Sequence, residues 1–143
     1  MTGWLEASVD ITVPFHDADP AGVVWHGNYF RYFELARCEL LERMDYDYAQ
    51  MARSGCVWPV VDLNSRFNKP VKFQDKITVV ARLVEWEYRL MMRYRVLDAN
   101  SNEAARAMTI QVPVDLKTGE LMIGVPADFE QRVKSARAAA GLP

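Results

Sequence analysis

The order of hydrophobic repeats along the chain is the strongest constraint on its fold. A short strand pattern, in which Val9, Ile11 and Val13 alternate with polar residues, precedes a single long helical pattern. The helix follows Asn28, a good cap residue, and spans about four or five turns. Its apolar positions recur at three- and four-residue spacing: Phe30, Phe33, Ala36, Leu40, Leu41 and Met44.

About four strands follow this helix and are joined by short turns. The strand patterns cover residues 60–67, 77–86, 90–97 and 108–114, and a mostly solvated helix is predicted at 128–139. An antiparallel sheet of this kind buries its apolar face by wrapping the one long helix. The sequence therefore predicts an α+β fold with that helix as its core.

The strand at residues 77–86 is apolar almost throughout. It has too few polar positions for a face open to water, so we expect a homo-oligomer, either a dimer or a tetramer.

Length and composition exclude several classes of function. The 143 residues suit one domain spanning residues 1–143, and the net charge of -2 gives no basic field for nucleic acid. No run of eighteen apolar residues predicts a membrane segment, and the start of the chain does not resemble a leader, so we expect a cytoplasmic protein. Cys38 and Cys56 are expected as free thiols. The spacing of His16 and His26 predicts no metal site, and no cofactor motif is present.

One loop before the long helix concentrates the reactive side chains. The stretch HDADPAGVVWHGNY, residues 16–29, holds both histidines and two aspartates. Asp17 is expected as a cap or turn aspartate. Asp19 precedes Pro20 and Gly22, which make the backbone first stiff and then free to approach a ligand, as in a binding site.

A carboxylate beside a helix N-terminus can attack an activated carbonyl or deprotonate a water molecule. Backbone N–H groups nearby would stabilise the oxyanion that forms. A thioester suits this modest catalyst, because its carbonyl is reactive and its thiolate leaves readily. The sequence has no nucleophile elbow, phosphate loop or zinc-protease motif that would favour another chemistry.

The stretch DADPAGVVWHGNYFRYFELAR resembles the signature of the 4-hydroxybenzoyl-CoA thioesterase family, including its Tol-Pal-associated acyl-CoA thioesterase branch. The segments 70–75 and 112–115, with Val125-Pro126 downstream, extend the resemblance over nearly the whole chain. It implies a single hotdog domain, with a central helix wrapped by a five- or six-stranded antiparallel sheet. It also implies dimers, often paired into a homotetramer, with active sites at the dimer interface.

The resemblance also implies roles for individual residues. Asp19 corresponds to the catalytic carboxylate, and His26 lies beside the thioester, with its backbone N–H as oxyanion donor and its imidazole in an orienting role. Expected substrate contacts are Gly22, Val24, Trp25, Asn28, Tyr29 and Arg89. The phosphate contact from Arg89 is weakened, because Glu87 and Tyr88 stand where some family members carry basic residues.

Several functions remain open from the sequence. The first is hydrolysis of an aromatic or short- to medium-chain acyl-CoA, with Asp19 as nucleophile or general base. An acyl carrier protein thioester is an alternative donor, because its phosphopantetheine arm needs no nucleotide clamp. A hotdog dehydratase or hydratase would act on similar thioesters without hydrolysing them, and a non-catalytic module would only bind them.

Overall fold

The computed structural model describes residues 3–143. The strands are β1 (Glu6–Thr12), β2 (Cys56–Val57), β3 (Val60–Phe67), β4 (Lys76–Glu85), β5 (Leu90–Leu97), β6 (Glu103–Gln111) and β7 (Val114–Asp115), and the helices are α1 (Asn28–Arg43), α2 (Tyr48–Arg53) and α3 (Ala127–Ala139).

Five of the strands form one antiparallel sheet in the order β1-β4-β5-β6-β3. Helix α1 packs across β1 and β4. Alternate residues of the strands face α1 and are buried, as in β4 with Ile77, Val79, Ala81 and Leu83. The predicted α+β arrangement, one helix wrapped by a sheet, is confirmed.

The register of the buried face of α1 differs in part from the prediction. Phe30 is 38% exposed, whereas Tyr29 and Tyr32 are buried. Tyr29 lies about 100° around the helix from Phe30, in line with Phe33 and Ala36, so it takes the inward position. The predicted cap was also wrong: Gly27 is the N-cap, and Asn28 is the first helical residue.

The last strand pattern divides into two strands. Strand β6 ends at Gln111, and Val114 belongs to β7, which pairs with β2 in a separate two-stranded sheet. Pro113 lies at the break and has no N–H for the ladder. The helix α2 was not predicted, although Asp47 caps it by accepting a hydrogen bond from the Gln50 N–H.

The tail helix α3 is more firmly anchored than the sequence predicted. Phe129 and Val133 are fully buried, and the Phe129 ring lies 4.9 Å from the rings of both Tyr46 and Trp58. Within residues 3–143, no helix is long and apolar enough to cross a membrane.

The apolar character of β4 has an explanation inside the subunit. Strand β4 lies between β1 and β5 and beneath α1, so its inward-facing side chains, Ile77, Val79, Ala81 and Leu83, are covered without a second copy. Val80 and Val84, on the opposite face, are partly buried. The expectation of an oligomer therefore cannot rest on this strand. Strand β3 is instead the edge with exposed apolar side chains, at Val60, Val61, Leu63 and Phe67.

Candidate active site

A small hairpin carries Asp19 ahead of α1. After β1, Pro14 and a single 3-10 turn at Phe15–Asp17 lead into this hairpin. The Asp19 N–H donates to the Val23 carbonyl at 2.8 Å, and the Gly22 N–H donates back to the Asp19 carbonyl at 2.9 Å. Gly22 has a φ of +81°, the left-handed conformation that closes a three-residue hairpin loop.

The Asp19 carboxylate is held by this hairpin through one of its two oxygens. Oδ1 accepts hydrogen bonds from the N–H groups of Ala21 at 2.9 Å and Val23 at 3.4 Å. Oδ2 receives no hydrogen bond from any residue in the range 3–143. The carboxylate is thus oriented by the backbone and keeps one oxygen for another partner.

Asp17 lies in the 3-10 turn, as one of the two predicted roles required, but its side chain does not cap a helix. It is buried, and its carboxylate accepts hydrogen bonds from the Arg31 guanidinium and, at 2.5 Å, from the Tyr32 hydroxyl. Its backbone carbonyl accepts from the Trp25 N–H and the Asn28 amide. We call this group the Asp17 clamp; it fastens the loop to the first turns of α1.

Electrostatics keep the clamp ionised. Burial alone would raise the pKa of the Asp17 carboxyl, but the hydrogen bonds from Tyr32 and Arg31 and the Arg31 charge outweigh it, so the pKa lies below its ordinary value of 3.8. Burial and the bond to Asp17 raise the pKa of Tyr32 far above its ordinary value, so its hydroxyl stays a donor. His16, 3.6 Å from Asp17, is mostly exposed.

The start of α1 leaves backbone donors open. Gly27 provides no side-chain cap, and the N–H groups of Asn28 and Tyr29 bond to the carbonyls of Trp25 and His26. The N–H groups of His26 and Gly27 donate to no acceptor in the described part of the chain. Unpaired donors at a helix N-terminus favour a negatively charged oxygen.

Asp19 and His26 share one cavity. Its volume is about 400 Å³, and its lining consists of Asp19, Val23, Val24, His26, Tyr29, Phe67, Asn68, Lys69 and Pro70. The Tyr29 ring lies 4.9 Å from the Phe67 ring. Burial raises the pKa of the Tyr29 hydroxyl above its ordinary value of 10.0, so this hydroxyl is uncharged at neutral pH.

The other predicted site residues differ in whether they line the cavity. Val24 and Tyr29 line the cavity, whereas Gly22 shapes the hairpin and Asn28 serves the Asp17 clamp. Trp25 is half exposed and lies against the His26 ring, with 5.0 Å between ring centroids.

Arg89 does not join this group within one subunit. Arg89 follows the end of β4 that is farther from the loop, and there it forms an ion pair of 2.6 Å with Glu85. The loop meets β4 at its opposite end, where the Val13 N–H donates to the Asp75 carbonyl.

The contribution of β3 to the cavity was not predicted from the sequence. Phe67 ends this strand, and Asn68, Lys69 and Pro70 follow it to form one wall of the cavity. The Lys69 ammonium in this wall forms an ion pair with Asp98. Pro70 marks the end of this segment in the sequence, but no local pattern predicts that the segment lies near Asp19.

We expect the hairpin to depend on glycine at position 22. In Gly22→Ala the added Cβ meets no atom within 4 Å, so the cost is backbone strain alone, about 1–2 kcal/mol of unfolding free energy. Urea unfolding measures this loss. Gly124→Ala is the matched control, with a φ of +80° and equally open space. Equal stability losses with an activity loss only in Gly22→Ala would show that the hairpin positions the site; equal activities would contradict it.

The comparisons with known proteins agree with this geometry. Residues 13–137 match the model of the Thioesterase-like superfamily. The chain belongs to this superfamily. It is accordingly a thioester hydrolase, and the hotdog fold implied by the resemblance is confirmed.

Three proteins illustrate how similar the relatives are. The 4-hydroxybenzoyl-CoA thioesterase of Pseudomonas sp. (strain CBS-3) is 28% identical, with 72% of this chain and 89% of that protein covered. Acyl-CoA thioester hydrolase YbgC of Escherichia coli is 22% identical, with 85% and 93% covered. The structure of DHNA-CoA thioesterase from Staphylococcus aureus superposes with a TM-score of 0.82 at 23% identity, covering 95% and 93% of the two chains.

Proposed function

We propose that this thioesterase hydrolyses an acyl-CoA to the free acid and CoA, with Asp19 as the catalytic carboxylate. The observation that carries the proposal is the shared cavity, which both Asp19 and His26 line. Among residues 3–143, Asp19 Oδ2 has no hydrogen-bond donor and the His26 N–H has no acceptor. A nucleophile or base and an oxyanion donor are the two elements that thioester cleavage needs.

Two balanced reaction courses use these groups. As a nucleophile, Asp19 Oδ2 forms a bond to the thioester carbon, the carbon–sulfur bond breaks, and the thiolate leaves; water then hydrolyses the mixed anhydride. As a general base, Asp19 takes a proton from water, whose oxygen attacks the same carbon and whose proton passes to the departing sulfur. In both courses the carbonyl oxygen gains negative charge, which the His26 and Gly27 N–H groups would stabilise.

The cavity suits an aromatic or short- to medium-chain acyl group. Its lining combines Val23, Val24, Tyr29 and Phe67, and its volume of about 400 Å³ is at the small end of the range for ligand pockets. The name of the Pseudomonas relative describes an aromatic acyl-CoA, which agrees with this choice. Free thiols at Cys38 and Cys56 fit a reducing compartment, so we place the reaction in the cytoplasm.

Arg89 belongs to this proposal as a contact for the distal phosphates of the substrate. Since Arg89 is separated from Asp19 by the length of β4 within one subunit, such a contact requires the substrate to extend across to a second copy. An acyl carrier protein donor would not need this contact.

The proposed enzyme is a homo-oligomer built on the β3 edge. Strand β3 pairs with β6 on one side only, and its exposed apolar residues include Leu63 and Phe67. An open apolar edge readily pairs with another strand. Because Phe67 also lines the Asp19 cavity, a second copy along β3 would enclose the substrate; this dimer is the unit we propose, and its pairing into a tetramer is open.

We expect Leu63→Lys to separate the dimer and to reduce turnover. Leu63 is exposed in the single subunit, so the lysine disturbs a contact between copies and leaves the core intact. Light scattering at micromolar concentration measures the mass, and circular dichroism checks the fold. Leu116→Lys, at an exposed position outside β3, is the control and should remain dimeric. An active wild-type monomer would contradict the proposed assembly.

The experiment that tests the activity is release of free thiol from aromatic, short-chain and medium-chain acyl-CoA thioesters, repeated with an acyl carrier protein donor. Release from CoA thioesters is the expected result, and the preferred acyl group defines the substrate. Release only from the carrier protein would replace the donor. Interconversion of enoyl and hydroxyacyl thioesters without thiol release would indicate a lyase, and binding without turnover would indicate a non-catalytic module.

A further inference from the structure

A second cavity lies on the face of the sheet turned away from α1. Tyr94 points toward the helix, with its ring 5.1 Å from the Phe33 ring, so its neighbours Arg93 and Arg95 lie on the opposite face. The cavity there has a volume of about 640 Å³. We call it the basic depression, after its five arginines: Arg66, Arg82, Arg93, Arg95 and Arg106.

The strand register sets these arginines directly against one another. Arg82 is opposite Arg93 between β4 and β5, and Arg95 is opposite Arg106 between β5 and β6. Arg106 is also opposite Arg66 on the edge strand β3. Like charges at opposed positions of neighbouring strands destabilise a sheet, so this arrangement costs stability unless an anion offsets it.

Carboxylates of the chain offset only part of the charge. Glu6 and Glu103 are the acidic residues lining the basic depression. Glu6 pairs with Arg82 at 2.7 Å, and Glu103 pairs with Arg95 at 3.1 Å.

The other three guanidinium groups lack such partners. No carboxylate in residues 3–143 lies within ion-pair distance of Arg66, Arg93 or Arg106. The chain as a whole carries a net charge of -2, so this positive excess is local.

The chemistry of the lining identifies the class of ligand. Guanidinium groups bind phosphate oxygens through two parallel hydrogen bonds, and several together suit more than one phosphate. Val80 and Met108 supply apolar surface in the same depression. We infer that the basic depression binds a small molecule with two or more phosphate charges and an apolar or aromatic body, such as a nucleoside diphosphate.

This site is separate from the thioester cavity. Arg66 and Phe67 are consecutive residues of β3 and point to opposite faces of the sheet, so the first lines the basic depression and the second lines the Asp19 cavity. Ligand binding in the basic depression therefore does not depend on the proposed hydrolysis at Asp19.

Titration calorimetry with ADP, pyrophosphate and inorganic phosphate tests this inference on the intact protein. We expect saturable binding of one ADP per chain, tighter than pyrophosphate, with phosphate weakest. The double substitution Arg93→Gln and Arg106→Gln should weaken ADP binding about 100-fold, since a hydrogen bond to a charged group contributes roughly tenfold or more in affinity. ADP should raise the melting temperature of the wild type and leave that of the double variant unchanged.

Two further variants make the result specific. Arg53→Gln with Lys134→Gln removes the same charge from α2 and α3, and Asp19→Asn alters the thioester cavity; both should bind ADP like the wild type. Equal weakening in the α2 and α3 variant would reduce the effect to net charge and overturn the proposal. The absence of saturable ADP binding would also overturn the proposal. If the wild type binds no ligand and the Arg93 and Arg106 substitutions dissociate the oligomer, this face is a contact between copies.

Discussion

Replacing Asp19 by Asn is expected to lower the turnover number for thiol release by about 10³-fold, since a positioned acid or base contributes 10²–10⁴ in rate. The amide is nearly isosteric and can keep the hydrogen bonds that Oδ1 accepts from Ala21 and Val23, so the hairpin should remain folded. Steady-state release of free thiol measures the loss, and an unchanged melting temperature shows that chemistry was removed without unfolding.

The matched control is Glu39→Gln, which removes an exposed carboxylate from α1 and should retain full activity. Turnover in ¹⁸O-labelled water then separates the two roles of Asp19. Label found in the aspartate after repeated turnovers indicates an anhydride that water opens at the aspartyl carbonyl. Label found only in the released acid indicates that water attacks the acyl carbon, either of the thioester or of the anhydride. Turnover that survives in Asp19→Asn would remove this residue from the chemistry.

Asp17→Asn is expected to destabilise the protein by about 1.5–3 kcal/mol, the range for hydrogen bonds to a charged group. The substitution takes away the anion that Arg31 and Tyr32 share and that fastens the loop to α1. We expect lower activity as well, because the hairpin bearing Asp19 would no longer be fixed. Urea unfolding at neutral pH measures the change, and Asp10→Asn, which alters an exposed aspartate, should stay within about 0.5 kcal/mol of the wild type.

The pH dependence of this difference has a definite sign. The folded pKa of the Asp17 carboxyl lies below 3.8, so the clamp stabilises the protein fully above that pH and is lost as the pH falls through the folded value. The gap in stability between wild type and Asp17→Asn should therefore be constant from about pH 5 to 8 and shrink below pH 3.8. A gap that grows on acidification would contradict the assigned role.

The main elements of the fold could be predicted because their signals are local. The spacing of apolar residues in α1 and the alternation in β5 report directly on which side chains face inward. The division between β6 and β7 was missed, since Val112 and Val114 continue the alternation while Pro113 interrupts the ladder. The exact register of α1 was also missed, because Phe30 and Tyr29 are equally apolar in pattern and only packing selects one of them.

The candidate site was predictable along the loop and unpredictable across the sheet. Asp19, His26 and Tyr29 lie within eleven positions, so one motif contained them. Phe67 reaches the same cavity only through the pairing of β3 with β6, which is a long-range contact without a local signal. The Asp17 clamp was not predicted for a similar reason, because its partners Arg31 and Tyr32 are fourteen and fifteen residues away along the chain.

Because α1 begins without a side-chain cap, the helix can bind a ligand through its first N–H groups, and the ligand in turn can stabilise the helix. Serine, threonine, asparagine and aspartate are preferred at the N-cap because their side chains accept from the first N–H groups of the helix, but Gly27 offers no such acceptor. An oxygen atom from an occupant of the cavity can take over that task at His26 and Gly27. The ligand then takes the place of an N-cap side chain. Occupancy of the cavity should therefore slow amide hydrogen exchange in the first turn of α1.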